Sequence, residues 1–166
     1  MLPRLYVLVG APGSGKSTWV RKNMGILFNE SMCAYISRDA IRFNMLNDSD
    51  EYFSHEREVF REMIHQIVDE LKRGFSVFAD ATHLNRASRA KLINAINQYY
   101  TDYTIIFIFF DTCLATCLRR NAQRTGRALV PESALNQMFN NMTVPTIGEF
   151  SNCAGVWLIR EGDEAI

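Results

Sequence analysis

The residues with the plainest chemical meaning are Gly10-Ala11-Pro12-Gly13-Ser14-Gly15-Lys16-Ser17-Thr18, which fit G-x-x-x-x-G-K-[ST] with both glycines, the lysine and the hydroxyl in register. Gly13, Ser14 and Gly15 let the backbone curl so that successive N–H groups point inward at phosphate oxygens. A helix opening at Lys16 to Thr18 adds unpaired N–H groups and a partial positive charge. Lys16 can reach β- and γ-phosphates and Ser17 can hold Mg²⁺, so the expected cofactors are ATP and Mg²⁺. Transfer of a phosphoryl group also needs an aligned nucleophile and cations around the moving group. Asp39 can accept a proton from an attacking hydroxyl, a role compatible with a plain helix-start aspartate. Arg38 and Arg42 bracket it. Arg42 shares its helix face and can either grip an anionic group on the acceptor or pair with Asp39. Asp80 can order metal-bound water or simply form a turn. His83 is placed near the acceptor side, although a lone histidine is more often structural or exposed. Residues 119–127 hold four arginines in nine positions together with Gly126, a composition that suits a closing lid. Within it Arg120 and Arg124 share a face and would stabilise charge on the moving group. The candidate catalytic set is Lys16, Asp39 and Arg124.

These groups need a scaffold that brings them to one place. Leu5–Val9 reads as a strand and the residues after the glycine loop as a helix. Cys33–Ser37 reads as a second strand, followed at once by a helix from Arg38 that Asn47–Asp50 breaks. A longer helix is expected from about Glu51 to Arg73, with Phe53, Val59, Phe60, Met63, Ile64, Ile67, Val68 and Leu71 recurring at helical spacing and Gly74 as its stop. Phe75–Ala79 is a third strand ending at Asp80. Asn85 caps a helix from Arg86 to about Tyr99. Tyr103–Phe110 is a fourth strand, apolar on both faces, with Asp111 at its end. A helix over Leu114–Ala122, a mobile loop over Gln123–Val130, and a helix from Pro131 to about Met142 follow. Pro145–Asn152 is irregular, and Val156–Ile159 is the last strand. This alternation predicts an α/β chain with the P-loop NTPase fold: a parallel five-stranded sheet flanked by helices, with an arginine-bearing lid. Right-handed crossovers put the strand C-termini on one edge, so the loop, Asp39, Asp80 and Asp111 are expected to face a common cleft.

A length of 166 residues is expected to form a single P-loop kinase domain over 1–166, large enough to bury roughly 70% of its unfolded surface. The formal net charge is zero and 22% of residues are charged, which excludes a generally basic nucleic-acid coat; any nucleic acid is met by a local patch or by its end. The four cysteines form no metal-binding pattern and are expected to be packing residues in a reducing compartment. The sequence opens on its first strand, without a signal peptide, and no apolar run of ~18 residues could span a membrane, so a cytoplasmic enzyme is expected.

Taken together, Gly10–Trp19, Ser37-Arg38-Asp39-Ala40-Ile41-Arg42, Asp80-Ala81-Thr82-His83-Leu84-Asn85 with Arg89, Arg120-Asn121-Ala122-Gln123-Arg124 and Val130-Pro131 resemble the phage-type polynucleotide 5′-hydroxyl kinase family over roughly residues 4 to 142. The resemblance implies transfer of the ATP γ-phosphate to a 5′-hydroxyl of DNA or RNA. Lys16 and Ser17 then serve ATP and Mg²⁺, Asp39 resembles the general base, Arg42 the contact to the acceptor's phosphate, and Arg120 and Arg124 the lid. The chain departs from the phage enzyme at Ala81, where that enzyme has its aspartate; relatives with aspartate two residues before the threonine match Asp80 instead. His83 replaces a frequent asparagine. The phage enzyme also carries a C-terminal phosphatase domain, for which this chain ends too soon, so no 3′-end processing is expected. Two other readings keep the nucleotide site: a small-molecule kinase acting on a sugar, nucleoside or antibiotic, and a nucleotide-binding ATPase module.

Overall fold

The computed structural model describes residues 2–28 and 32–163. Five strands, β1 (Arg4–Val9), β2 (Cys33–Ser37), β3 (Ser76–Asp80), β4 (Thr104–Asp111) and β5 (Cys153–Arg160), form one sheet in the order β2-β3-β1-β4-β5, every neighbouring pair parallel. Among the described residues six α-helices connect them: α1 (Lys16–Leu27), α2 (Arg38–Met45), α3 (Glu56–Lys72), α4 (Arg86–Asn97), α5 (Leu114–Ala122) and α6 (Glu132–Asn140).

The period-two alternation of the strands divides the core between the two sheet faces. Leu5, Val7, Val9, Val77, Ala79, Ile105, Phe107 and Phe109 pack with Val59, Met63, Ile67 and Leu71 of α3 and Leu92, Ile93 and Ile96 of α4. Tyr6, Leu8, Phe78, Ile106, Ile108 and Phe110 face the other way, against Trp19 and Val20 of α1. A parallel sheet covered on both faces reads as continuous apolar sequence, and β4 is buried from Ile105 through Phe110. Among the described residues no helix is long and apolar enough to cross a membrane.

Most element bounds follow the sequence; β5 begins at Cys153, three residues before the expected Val156, and α3 departs most instructively. The helix expected from Glu51 begins only at Glu56. Residues 51–55 instead form turns in which the Ser54 hydroxyl and amide both bond back to the Glu51 carbonyl (2.7 and 3.1 Å). A serine side chain that bonds its local backbone competes with helix formation. Phe53 therefore falls outside the buried stripe and stands 63% exposed. At the other end Gly74, at φ 84°, turns the chain out of α3, and the amide of Phe75 reaches back to the Glu70 carbonyl at 3.0 Å. Asn85 caps α4 through a reciprocal box with Ser88, and α4 ends at Asn97, short of Tyr99.

The irregular stretch before β5 has a defined partner. Arg89 on α4 is fully buried, and each of its five guanidinium N–H groups has an acceptor. Nε and Nη2 donate to the two Glu149 carboxylate oxygens (2.7 and 2.5 Å), Nη1 to the carbonyls of His83 and Thr143 (3.1 Å each), and Nη2 also to Thr143 Oγ1 (3.3 Å). Glu149 is set by its own turn, since Thr146 and Glu149 form a capping box around a short 3-10 turn over Ile147–Glu149.

Candidate active site

The glycine loop between β1 and α1 has the strained shape its sequence implies. Gly13 and Gly15 adopt φ of 82° and 98°. A Cβ added at Gly13 would lie 2.6 Å from the carbonyl oxygen of Cys117 on α5. Gly13→Ala is therefore expected to cost about 1–3 kcal/mol of stability from the backbone conformation alone, and to weaken nucleotide binding as the loop is pushed off α5. Denaturant midpoints and nucleotide titration of the purified variant check both.

Helix α1 begins without a side-chain cap and without an acidic residue in its first turn, so its terminal N–H groups remain available to an anion. The Lys16 ammonium is buried and bonds the Gly10 and Ala11 carbonyls (2.8 and 3.0 Å) and Ser14 Oγ (3.4 Å). Burial pulls its pKa below the usual lysine range, and the Asp80 carboxylate opposes that shift. Ser17 Oγ donates to Asp80 Oδ2 at 2.6 Å, and the Tyr35 hydroxyl donates to the same oxygen. β2 and β3 pair in register at Tyr35↔Phe78 and Ser37↔Asp80, which is what brings the tyrosine to the carboxylate. The hydroxyl and carboxylate of Ser17 and Asp80 are hard oxygen donors of the kind Mg²⁺ takes alongside substrate phosphates. The donor set thus fits ATP and Mg²⁺.

Two cavities open at the C-terminal edge of the sheet. One, of about 510 Å³, is lined by Gly13, Gly15, Lys16, Ser17, Thr18, Arg21, Lys22, Arg120 and Arg124. The other, of about 300 Å³, is lined by Ser17, Arg21, Tyr35, Ser37, Asp39, Ala40, Phe43, Arg124 and Ala128. They share Ser17, Arg21 and Arg124. The first is cationic and built around the glycine loop. The second contains the Asp39 carboxylate, which is 62% exposed at the start of α2. Arg21 and Lys22 are not part of the loop motif; Arg21 follows Ser17 by one helical turn, and that spacing could have found it.

Asp39 is held by a network that crosses the α2–α3 connection. Arg42 Nη1 donates to Asp39 Oδ1, and Tyr52 Oη donates to the same oxygen at 3.0 Å. Arg42 also bonds Tyr52 Oη (2.9 Å) and, through Nε, Glu56 Oε1 (2.6 Å). Its guanidinium lies 4.5 Å from the Tyr52 ring centroid and 5.7 Å from that of Phe53. Arg38 Nη2 takes the second Glu56 oxygen at 2.8 Å. The Arg42 side chain is thus 6% exposed and engaged with its own chain, where the sequence had offered either an acceptor contact or a pair with Asp39. Burial, followed by the Asp39 charge, pushes the Tyr52 hydroxyl up to about 12, so it remains a donor across the neutral range.

The arginine-rich segment leaves α5 beside the glycine loop. Arg120 Nη1 bonds the Gly13 carbonyl at 3.3 Å and Arg124 Nη1 the Ala128 carbonyl at 3.5 Å. The buried Asn121 amide ties the two ends of the segment together, donating to the Val130 carbonyl (2.7 Å) and accepting from its amide (3.1 Å). Arg127 Nη2 reaches across to the Asn47 and Asp48 carbonyls (3.0 and 2.7 Å), just past the end of α2.

Asp80, Arg38 and Arg42 line neither cavity but connect to residues that do, Asp80 through Ser17 and Tyr35, and Arg42 through Asp39 with Arg38 joined to it by Glu56; two further sequence-chosen residues stand apart altogether. Asp111, at the end of β4, lines neither cavity, because β4 pairs it with Arg160 of β5, away from the β1–β3 side where the cavities open. His83 lines neither and is buried at φ 42°, with Nε2 lacking a hydrogen-bond partner among the described residues. Burial, followed by the charges of Arg38, Lys16 and Arg89, lowers its pKa from 6.5 to about 3, against a hydrogen bond to the Ala79 backbone. Between those values the unfolded chain binds a proton that the folded chain refuses, so stability is lost as pH falls from 6.5 toward 3. Urea midpoints are expected to drop between about pH 6.5 and pH 5, before most carboxylates titrate. His83→Asn, which tolerates positive φ, is expected to flatten that slope.

A family model described as an AAA domain matches residues 5–145. Among solved structures, a chain in a structure of the Pnkp1/Rnl/Hen1 RNA repair complex is 26% identical with a TM-score of 0.71, covering 84% of this chain and 44% of that one. A second Pnkp1/Rnl/Hen1 structure gives 28% identity and a TM-score of 0.61 over 72% of this chain and 39% of that one. The chain therefore spans less than half the length of those two relatives. A sugar kinase from Janibacter shares the fold at 17% identity and a TM-score of 0.64, with 95% and 85% of the two chains covered. No curated protein matches the chain.

Proposed function

The chain belongs to this AAA domain family and has the fold of the P-loop kinases, and from that premise we propose that it transfers the γ-phosphate of ATP to a 5′-hydroxyl of DNA or RNA. The observation that carries the reading is the meeting of the two cavities at Ser17, Arg21 and Arg124, with the loop lysine in one and the Asp39 carboxylate in the other. A transferring group can pass only where donor and acceptor share a wall, and cations belong at that wall.

ATP with Mg²⁺, when bound, supplies the electrophilic phosphoryl group. Lys16, Thr18 and the amides of Gly13, Ser14 and Gly15 hold its phosphates, and Ser17 and Asp80 supply the metal's protein oxygens. Arg120 and Arg124 offset charge on the moving group. Asp39 takes the proton released by the attacking hydroxyl at its carboxylate. Arg42 and Tyr52 hold that carboxylate in place, with Arg42 itself held by Glu56. Arg38 braces the same network by donating to the second Glu56 oxygen, and His83 lines neither cavity.

Labelled ATP, Mg²⁺ and single-stranded 5′-hydroxyl oligonucleotides of DNA and of RNA test the reading. Label is expected at the 5′ end, with weak sequence preference and a rate that falls as salt rises. No transfer to any oligonucleotide, together with ADP release on a sugar or nucleoside, would replace it with the small-molecule kinase that the fold also supports.

A further inference from the structure

Resting on the kinase reading, we propose that Phe43 is the stacking platform for the base of the acceptor's 5′-terminal nucleotide, so that the smaller cavity selects a nucleoside end rather than a simple sugar alcohol.

The sequence offers no reason for an exposed aromatic on α2, and the structure leaves Phe43 43% exposed. It follows Asp39 by four residues, so ring and carboxylate sit one turn apart on the same helix face, and both line the smaller cavity. Phe43 is steadied by Tyr52 (centroids 6.0 Å, 66°), the same tyrosine that donates to Asp39. A ring fixed by the group that fixes the base presents a preorganised surface at a set distance from the chemistry. An acceptor whose hydroxyl reaches Asp39 must lay its next few atoms against this wall.

The rest of the lining narrows the ligand class. Arg21 and Arg124 supply positive charge, suited to an anionic chain. Two of the cavity's three hydroxyls have committed their protons, since Ser17 and Tyr35 donate to Asp80, while Ser37 accepts from the Ala40 amide at 3.3 Å. A sugar recognised through an array of hydroxyls would find few free partners here. A flat base over an aromatic ring, beside cations that can meet phosphates, uses what the wall offers.

The test compares two single-stranded DNA acceptors with the whole protein and ATP. One carries adenine at its 5′-hydroxyl nucleotide; the other is identical but abasic at that nucleotide. The wild-type protein is expected to show kcat/KM roughly tenfold lower on the abasic end. Phe43→Ala is expected to lower kcat/KM roughly tenfold on the adenine end and to leave the abasic end nearly unchanged, and Phe43→Trp to restore the preference. An equal loss on both ends, or a wild-type protein indifferent to the base, overturns the stacking and leaves the kinase reading standing. Absence of transfer to both DNA ends and to the matching pair of RNA ends, while ATP still binds, overturns the kinase reading and the platform with it.

Discussion

Asp39→Asn is expected to lower phosphoryl transfer by about 10²–10⁴-fold while leaving the fold and the affinity for ATP nearly intact. The amide keeps an oxygen that can accept from Arg42 and Tyr52, so the network around it survives, but it cannot take a proton at neutral pH. The side chain is 62% exposed and packs into no core, which separates the chemical loss from any loss of stability. Single-turnover transfer and equilibrium binding of an ATP analogue, measured on one preparation, read the two effects apart. If ATP affinity falls with the rate, Asp39 shapes the donor site and is not the base. Lys16→Ala provides the contrast, since it is expected to lose affinity and turnover together: its ammonium lies within the glycine loop, where the motif sets a lysine against phosphates.

Glu149→Gln is expected to cost about 3–5 kcal/mol, or a fall in Tm of about 10 °C, though it lies outside both cavities. Arg89 would then keep a buried charge with no countercharge on its Nε and Nη2, since its other acceptors, His83 O, Thr143 O and Thr143 Oγ1, are neutral. The Glu149 side chain is only 5% exposed, so water cannot take its place. Replacing both residues with leucine is expected to be milder than either single change, because no charge is then stranded. Thermal denaturation of the two single variants and the pair measures this, and additive losses would show that the pair is not coupled.

These two predictions also mark where the sequence was readable. The glycine loop, the first four strands and the capping residue Asn85 rest on local pattern and lie within a residue of where the pattern put them, whereas β5 starts three residues before the expected Val156. Ser17 and Asp80 are brought together by strand topology, which the alternation of elements already implied. Glu56 and Tyr52 were not legible, because their roles depend on where the chain re-enters after the turn at Asn47–Asp50. That turn is also why Arg42 points inward: Glu56, Tyr52 and Phe53 fold back over it. Phe53 misled because its spacing matches the α3 stripe although the helix has not yet begun. Glu149 lies 60 residues from Arg89, and no periodicity reports a single ion pair across that separation.

The Asn121 amide bonds both polar backbone groups of Val130, so one side chain does at the root of the arginine segment what a pair of strand residues does at the root of a hairpin. The segment between is therefore a closed loop on a fixed stem. The free energy of closing such a loop grows only with the logarithm of its length, by about 0.6 kcal/mol per doubling. Residues can thus be added or exchanged around Gly126 with little effect on the sheet below, provided Asn121 and Val130 stay as they are. The part of the molecule that borders the smaller cavity through Arg124 and Ala128 is in this sense a separable module, whose length can vary while Arg124 and the glycine loop beneath it stay fixed.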